Sequence, residues 1–539
     1  MKRKIHNPIL PGFYPDPSIC RVGEDFYMVC SSFELWPGIP IFHSRDMGHW
    51  EQIGNVMTGD NHFRVEKNCG NGGVMAPTIR YCNGLFYIIN TNFSDRGNYI
   101  VTAEDPRGPW SEPHWLTDVP GIDASLFFDD DDQAYVIGTG DVWDNGAGKM
   151  ERGFWLAKYD VQTFCMIGEP VTIFNSALRE AASPEAPHIY HIGEYYYLIF
   201  AEGGTEHFHA VMAARSREIF GFYEGCPANP LLTHRHMGYT CPITNVGHAD
   251  LVDLPDGSWC AVLLASRLID GNHKNLGRET FYCPITWERG WPLFSPETGR
   301  LEWEYEAPAC LQETPYPAEE SFDGFSEAKL RPYWTLWGTP QPGLLRFDRP
   351  GVSLRCVEEA LDADIRPMAM EHTEHDLCCA AFLARRQKSP DTVATCSVEF
   401  TPAGAETAGL AVVQAMNHQV RIELAQSNGN RVIRAVKVTA DYDYPPYFPG
   451  FTSQSNRTTM AEVPWEKECA ILQIQMDGQN WTIRYGDSPE ELIELATVDG
   501  RDINPEKVGC MTGTMVGMFA TGNGSESENY AHFHWYRQI

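Results

Sequence analysis

Long apolar runs are absent from this chain: nowhere in its 539 residues does a hydrophobic stretch approach the roughly 18 residues that a membrane-crossing helix needs. The first residues, MKRKIHNPILPGFYPDPS, lack the continuous apolar segment of a secretion signal, because Pro and Gly interrupt it. The expectation is a cytoplasmic protein with no membrane partner. Basic residues are scarce, 41 Lys and Arg against 72 Asp and Glu, and the net charge of −31 is spread along the sequence. Such a surface repels nucleic-acid phosphates, which makes nucleic acid a poor partner, whereas a neutral sugar meets no penalty. Cys-x-x-Cys pairs are also missing. The 16 scattered cysteines read as reduced, mostly buried thiols, and the adjacent Cys378 and Cys379 would bond only in a strained geometry.

The first 300 or so residues have no helical periodicity, and turn pairs such as Asn83-Gly84 and Asp256-Gly257 recur instead. Five segments superpose: DPSICRVGEDFYMVCSS from Asp16, MAPTIRYCNGLFYIINTN from Met75, DASLFFDDDDQAYVIGTG from Asp123, EAPHIYHIGEYYYLIFAE from Glu185 and HADLVDLPDGSWCAVLLAS from His248. Each runs from a short strand through a turn of Gly, Asp or Asn into an aromatic or β-branched strand, a hairpin signature. Their first positions are 59, 48, 62 and 63 residues apart, which gives each unit room for a four-stranded sheet. Five such sheets around an axis make a five-bladed β-propeller, and equivalent positions on its innermost strands converge at one mouth of the central channel.

Those positions bring together three carboxylates and one imidazole. Any single acid there has an ordinary reading as a solvated turn former, but three at equivalent places are costly to gather unless they catalyse or hold a cation. Glycoside hydrolysis uses such a set. One carboxyl protonates the leaving oxygen, a second stays ionised to activate water or attack the sugar, and a third can hold the acid's proton on.

NPILPGFYPDPSI from Asn7, the IDASLF around Asp123, the SPEAPHIYHIGEYYYL around Glu185 and AEGGTEHFHA from Ala201 resemble hallmark segments of glycoside hydrolase family 43, in particular its two-domain β-xylosidases and α-L-arabinofuranosidases. The resemblance covers nearly the whole chain. It implies an inverting enzyme in which Asp16 is the general base, Glu185 the general acid, and Asp123 the group that raises the acid's pKa and orients it. It also implies that Arg278, in LGRET, contacts the terminal sugar's hydroxyls, with a surface salt bridge as the alternative. His248 would lie near the channel centre, where some relatives hold calcium; a neutral core histidine is the alternative, and no cofactor is required. Phe33 and Trp36, in CSSFELWPGIP, would line the sugar pocket or else pack within the blade. Met75 departs from the aromatic residue usual before this Ala-Pro, which leaves the leaving-group contact open.

His207-x-His209 and His532-x-His534 have the spacing of a metal pair, yet neither motif brings a third ligand, so no metal site is expected. The run Asp129 to Asp132 reads as a solvated hairpin tip.

The expected domains are a catalytic propeller over 1–308, a Pro- and Glu-rich linker over 309–321 and a β-sandwich over 322–539, argued from period-2 stretches such as HQVRIELAQ and CAILQIQMD. The last resembles the concanavalin-like sandwich of these β-xylosidases. Its YDYPPYFPGF segment, with Tyr447 and Phe448, would reach over the propeller mouth and close it into a pocket for chain ends, or else belong to a separate sugar platform. The expected activity is an exo-glycosidase that releases β-D-xylose from oligosaccharides, with α-L-arabinofuranosidase and a non-catalytic sugar-binding propeller as alternatives. A homo-oligomer remains open.

Overall fold

A computed structural model describes residues 2–59, 65, 72–93, 95–116, 119–144, 150–176, 181–362, 380–440 and 455–539, with only the backbone at 141–144, 150 and 151. Residues Tyr447, Phe448, Cys378 and Cys379 lie outside the described residues.

Five four-stranded antiparallel sheets form the N-terminal unit, each with its strands in chain order. Their innermost strands are Ser18–Val22, Thr78–Cys82, Ile122–Phe128, Glu185–Ile192 and Ile243–Asp253, each packed against the next, with the fifth against the first. This is a closed five-bladed β-propeller. Strand residues point alternately to opposite faces, and a blade has a neighbour on both, so its strands are apolar almost throughout. In Tyr195–Glu202, Leu198 and Phe200 pack towards blade 3 with Ile137 and Phe154, while Ile199 packs towards blade 5 with Leu251 and Leu263. Closure is tied by Lys4–His6 pairing with Glu304–Glu306, and by the side chain of Asn7, which bonds the backbone of Tyr282 and Glu302.

The C-terminal unit is a sandwich of two eight-stranded sheets, one of which ends in a strand from the propeller. Leu35 and Trp36 of blade 1 pair with Trp337 and Leu336. One apolar cluster then runs without a break from Ile41 and Ile88, in blades 1 and 2, through Trp36, Trp334 and Leu336 to Val412 and Ile474 inside the sandwich.

Candidate active site

Four of the five equivalent positions share a backbone device. Asp16, Asp123 and His248 have positive φ of 55°, 52° and 50°, and Ala186, next to Glu185, has 52°. The left-handed region is uncommon for such residues, and in blades 3, 4 and 5 it coincides with slips in strand pairing between Ile122 and Ser125, Glu185 and His188, and Gly247 and Asp250. A bulge leaves a residue unpaired and re-aims its side chain, which turns these groups towards the channel instead of a blade face. Gly247 is required beside His248: a Cβ there would lie 2.4 Å from the His209 ring.

Asp16 is buried between opposing partners. Its Oδ1 accepts from Arg278 Nη1 at 2.6 Å and lies 3.5 Å from His248 Nδ1, and its Oδ2 accepts from Ser31 Oγ at 2.6 Å. Burial pushes its pKa up, but the Arg278 guanidinium, His248 and the Ser31 hydroxyl outweigh that and hold the carboxyl below its ordinary value. Asp123 and Glu185 go the other way. Burial and the neighbouring Glu185 and Asp16 charges raise Asp123 well above its ordinary value, against one backbone bond from Ala186 N at 3.2 Å. Burial also raises Glu185, with Asp16 adding to it, although Arg152 Nη1 donates to its Oε1 at 3.1 Å and opposes the shift. The mouth therefore holds one carboxylate kept ionised and two carboxyls that favour keeping a proton.

Arg278 is 4% exposed and pays for its burial incompletely. Its Nη1 serves Asp16 and Thr205 Oγ1, at 2.6 and 2.9 Å, while Nε and Nη2 have no partner among the described residues. Buried unpaired donors are costly, and a ligand hydroxyl would satisfy them. Phe33 lies against this guanidinium, with its ring centroid 5.5 Å from Cζ, and stacks on Phe13. Trp36 is elsewhere. It is 4% exposed in the apolar cluster that joins blade 1 to the sandwich, so it packs a seam and does not line the mouth. Met75 is buried beside Phe33 and Phe13.

One layer deeper the channel is filled by a network that the motif comparison missed. Asp250 accepts from Arg80 Nη1 and Nη2 at 2.9 and 3.1 Å, from Ser18 Oγ at 2.6 Å, from Ile19 N at 3.0 Å and from Tyr190 Oη, while Arg80 Nη2 also meets His188 Nδ1 at 3.0 Å. Burial lowers His188 to about 3, so it is neutral. The signal was legible: Ser18 and Asp250 stand two residues after Asp16 and His248, one strand period on, and so enter the same channel.

The sandwich reaches the mouth through Met511 to Gly513. A Cβ on Gly277, whose φ is +78°, would lie 2.6 Å from Thr512 O, and one on Gly513 would lie 2.6 Å from Phe13 Cβ. This loop, the Arg152 contact and Thr205 were not singled out in the sequence.

Comparison with known proteins agrees with this geometry. Residues 5–292 match the family model for glycosyl hydrolases family 43, and residues 322–538 match that of the β-xylosidase C-terminal concanavalin A-like domain. The chain is 38% identical over 536 residues to a xylosidase/arabinosidase of Butyrivibrio fibrisolvens, covering 98% of each. It is 35% identical to a non-reducing end α-L-arabinofuranosidase of Bacteroides ovatus, covering 99% of this chain and 94% of the relative. The solved structure of a xylan β-1,4-xylosidase from Bacillus halodurans C-125 superposes with a TM-score of 0.86 at 29% identity, covering 99% of both chains.

Proposed function

The chain belongs to glycosyl hydrolase family 43, and from that premise we propose that it is an inverting exo-glycosidase that releases terminal β-D-xylose from xylo-oligosaccharides. The observation that carries this reading is the division of environments at the mouth: Arg278, 2.6 Å from Asp16, favours its ionised form, while burial favours the protonated forms of Asp123 and Glu185. Asp16 is then the base that takes a proton from water as the water attacks the anomeric carbon. Glu185 gives its proton to the departing glycosidic oxygen, and Asp123 keeps that proton in place until the substrate arrives. The unpaired Nε and Nη2 of Arg278 bind hydroxyls of the terminal sugar, and Phe33 backs the guanidinium. Exo action is supported by the Met511 to Gly513 loop packed against Phe13 and Gly277 at the mouth.

The donor set around His248 does not suit calcium, which takes about six to eight oxygen ligands. The carboxylate beside His248 is Asp16, already bridged to Arg278, and Asp250 is held by Arg80, Ser18 and Tyr190. No step is assigned to a metal there. Burial lowers the His248 pKa, which suits a neutral imidazole beside the base.

A second reading, α-L-arabinofuranosidase or dual activity, is favoured by the 38% and 35% identical relatives, whose names carry arabinose-releasing activity. The test is cleavage of an aryl β-D-xylopyranoside against an aryl α-L-arabinofuranoside, with Asp16→Asn as blank. A tenfold preference, about 1.4 kcal/mol of transition-state discrimination, names the sugar. Proton NMR of the first product reads the stereochemistry, and an initially retained anomer would sink the inverting assignment.

A further inference from the structure

A group of potential metal ligands lies on the C-terminal sandwich, built by a slip in strand pairing. Strand Tyr530–Gln538 runs beside Thr392–Glu399, with Trp535 opposite Ser397 but Phe533 opposite Val398. His534 is therefore the extra residue of a β-bulge, a feature that re-aims side chains. On the other side of Thr392–Glu399, Cys469 is directly opposite Glu399, so these two side chains leave the sheet on one face. His534 Nε2 lies 3.6 Å from Cys469 Sγ and 3.5 Å from Glu399 Oε2, and all three donor atoms lie within 4.8 Å of one another. With metal–sulfur bonds of about 2.3 Å and metal–nitrogen or –oxygen bonds of about 2.0 Å, tetrahedral coordination separates sulfur from nitrogen by about 3.5 Å and nitrogen from oxygen by about 3.3 Å. The two spacings from His534 are already those of a ligand set.

We propose that Cys469, His534 and Glu399 form a binding site for a zinc-type divalent cation, with three protein ligands and one position open to solvent. The donors, one thiolate, one imidazole and one carboxylate, are those that borderline-soft cations select. His532 is not the fourth ligand. Its Nδ1 is bonded with Ser353 Oγ at 2.9 Å and its Nε2 with Pro350 O at 3.0 Å, and its ring lies edge-on to His534 with centroids 4.8 Å apart, a wall that limits the His534 ring. Arg349 donates to both oxygens of Glu399, at 3.1 and 3.0 Å. Thiolate and carboxylate together carry two negative charges against its single positive one, and its side chain is 46% exposed, free to keep Oε1 while Oε2 turns to the cation. His534 and Glu399 are 36% and 29% exposed, so the ion enters without unfolding. The step balances simply: the Cys469 thiol gives its proton to solvent as sulfur bonds the cation.

The test uses the full chain after chelation, with Co²⁺ and Zn²⁺ alone as probes. One Co²⁺ per chain should bind with a thiolate-to-cobalt charge-transfer band, displaced by Zn²⁺ and absent in Cys469→Ser. His534→Gln should weaken Zn²⁺ binding by at least about tenfold, whereas Arg349→Gln, which removes the opposing charge, should tighten it. Glycosidase activity in chelator should match the parent in every variant, which shows that each has folded. Failure of the folded parent to bind, a cobalt band that survives Cys469→Ser, or weaker binding in Arg349→Gln would each overturn the site.

Discussion

Asp123 and Glu185 can be separated by a change of one atom. Asp123→Asn keeps the shape of the side chain and removes the carboxyl whose own proton burial and the Glu185 and Asp16 charges hold on, so that Glu185 no longer shares the buried mouth with a second titrating acid. The alkaline limb of the rate profile, set by loss of the acid's proton, should move to lower pH, with slower turnover. Arg152→Gln acts oppositely: it removes the cation that opposes the rise at Glu185, so the alkaline limb should move up. Arg278→Gln touches the other limb. Without the guanidinium Asp16 titrates at higher pH, so the acid limb should move up while KM rises, because Nε and Nη2 no longer meet the sugar. Initial rates across pH read all three, and an unmoved alkaline limb in Asp123→Asn would separate the two carboxyls. Stability gives an independent check. Asp123 and Glu185 have raised values in the folded chain, so they cost stability as pH rises from the ordinary carboxylate range through those values. Asp123→Asn should therefore melt higher than the parent near neutral pH, and the difference should vanish in acid, where the parent's Asp123 is protonated in the folded and the unfolded chain alike.

At the scale of the element, Gly277 decides how closely the sandwich loop approaches the arginine. Its φ of +78° and the 2.6 Å to Thr512 O leave no room for a methyl group. Gly277→Ala should displace Arg278 or the Met511 to Gly513 loop and lower kcat/KM by up to about a hundredfold, since misplacement near 1 Å costs that much. Parent-like kinetics would show that the loop has no part in the pocket. The same scale explains what could be read in advance. The hairpin repeat and its first positions were legible because turn chemistry and period-2 alternation are local, and they led to Asp16, Asp123, Glu185 and His248. The bulges were not legible, since a slip of one residue depends on the partner strand. Trp36 was left between a sugar pocket and blade packing for a related reason: aromatic residues beside a motif serve a sugar or a seam equally well, and only its pairing with Leu336 distinguishes them. Arg152 and Thr205 come from other strands and loops, and no spacing in the sequence links Arg152 to Glu185 or Thr205 to Arg278.

For the whole molecule the question is whether the two units act as one. The seam beside the active site is stitched by Asn275, which donates to Gly500 O and Ile503 O at 3.1 and 2.8 Å and accepts from Thr514 N at 3.0 Å. Arg386 Nε donates to Phe13 O at 2.6 Å, next to the aromatic stack behind Arg278. With Leu35 and Trp36 closing the edge of a sandwich sheet, separation would expose both a strand edge and a continuous apolar face. The full chain should therefore unfold in a single calorimetric transition. Leu336→Ala, in the middle of that seam and 4% exposed, should lower stability by about 2–5 kcal/mol. It should shift the one transition downward without splitting it, and activity should fall at the same temperature as the heat absorption. Two resolved transitions in the parent, with activity following only the propeller's, would mean that the sandwich is a separate body and that the apolar seam does not couple it to catalysis.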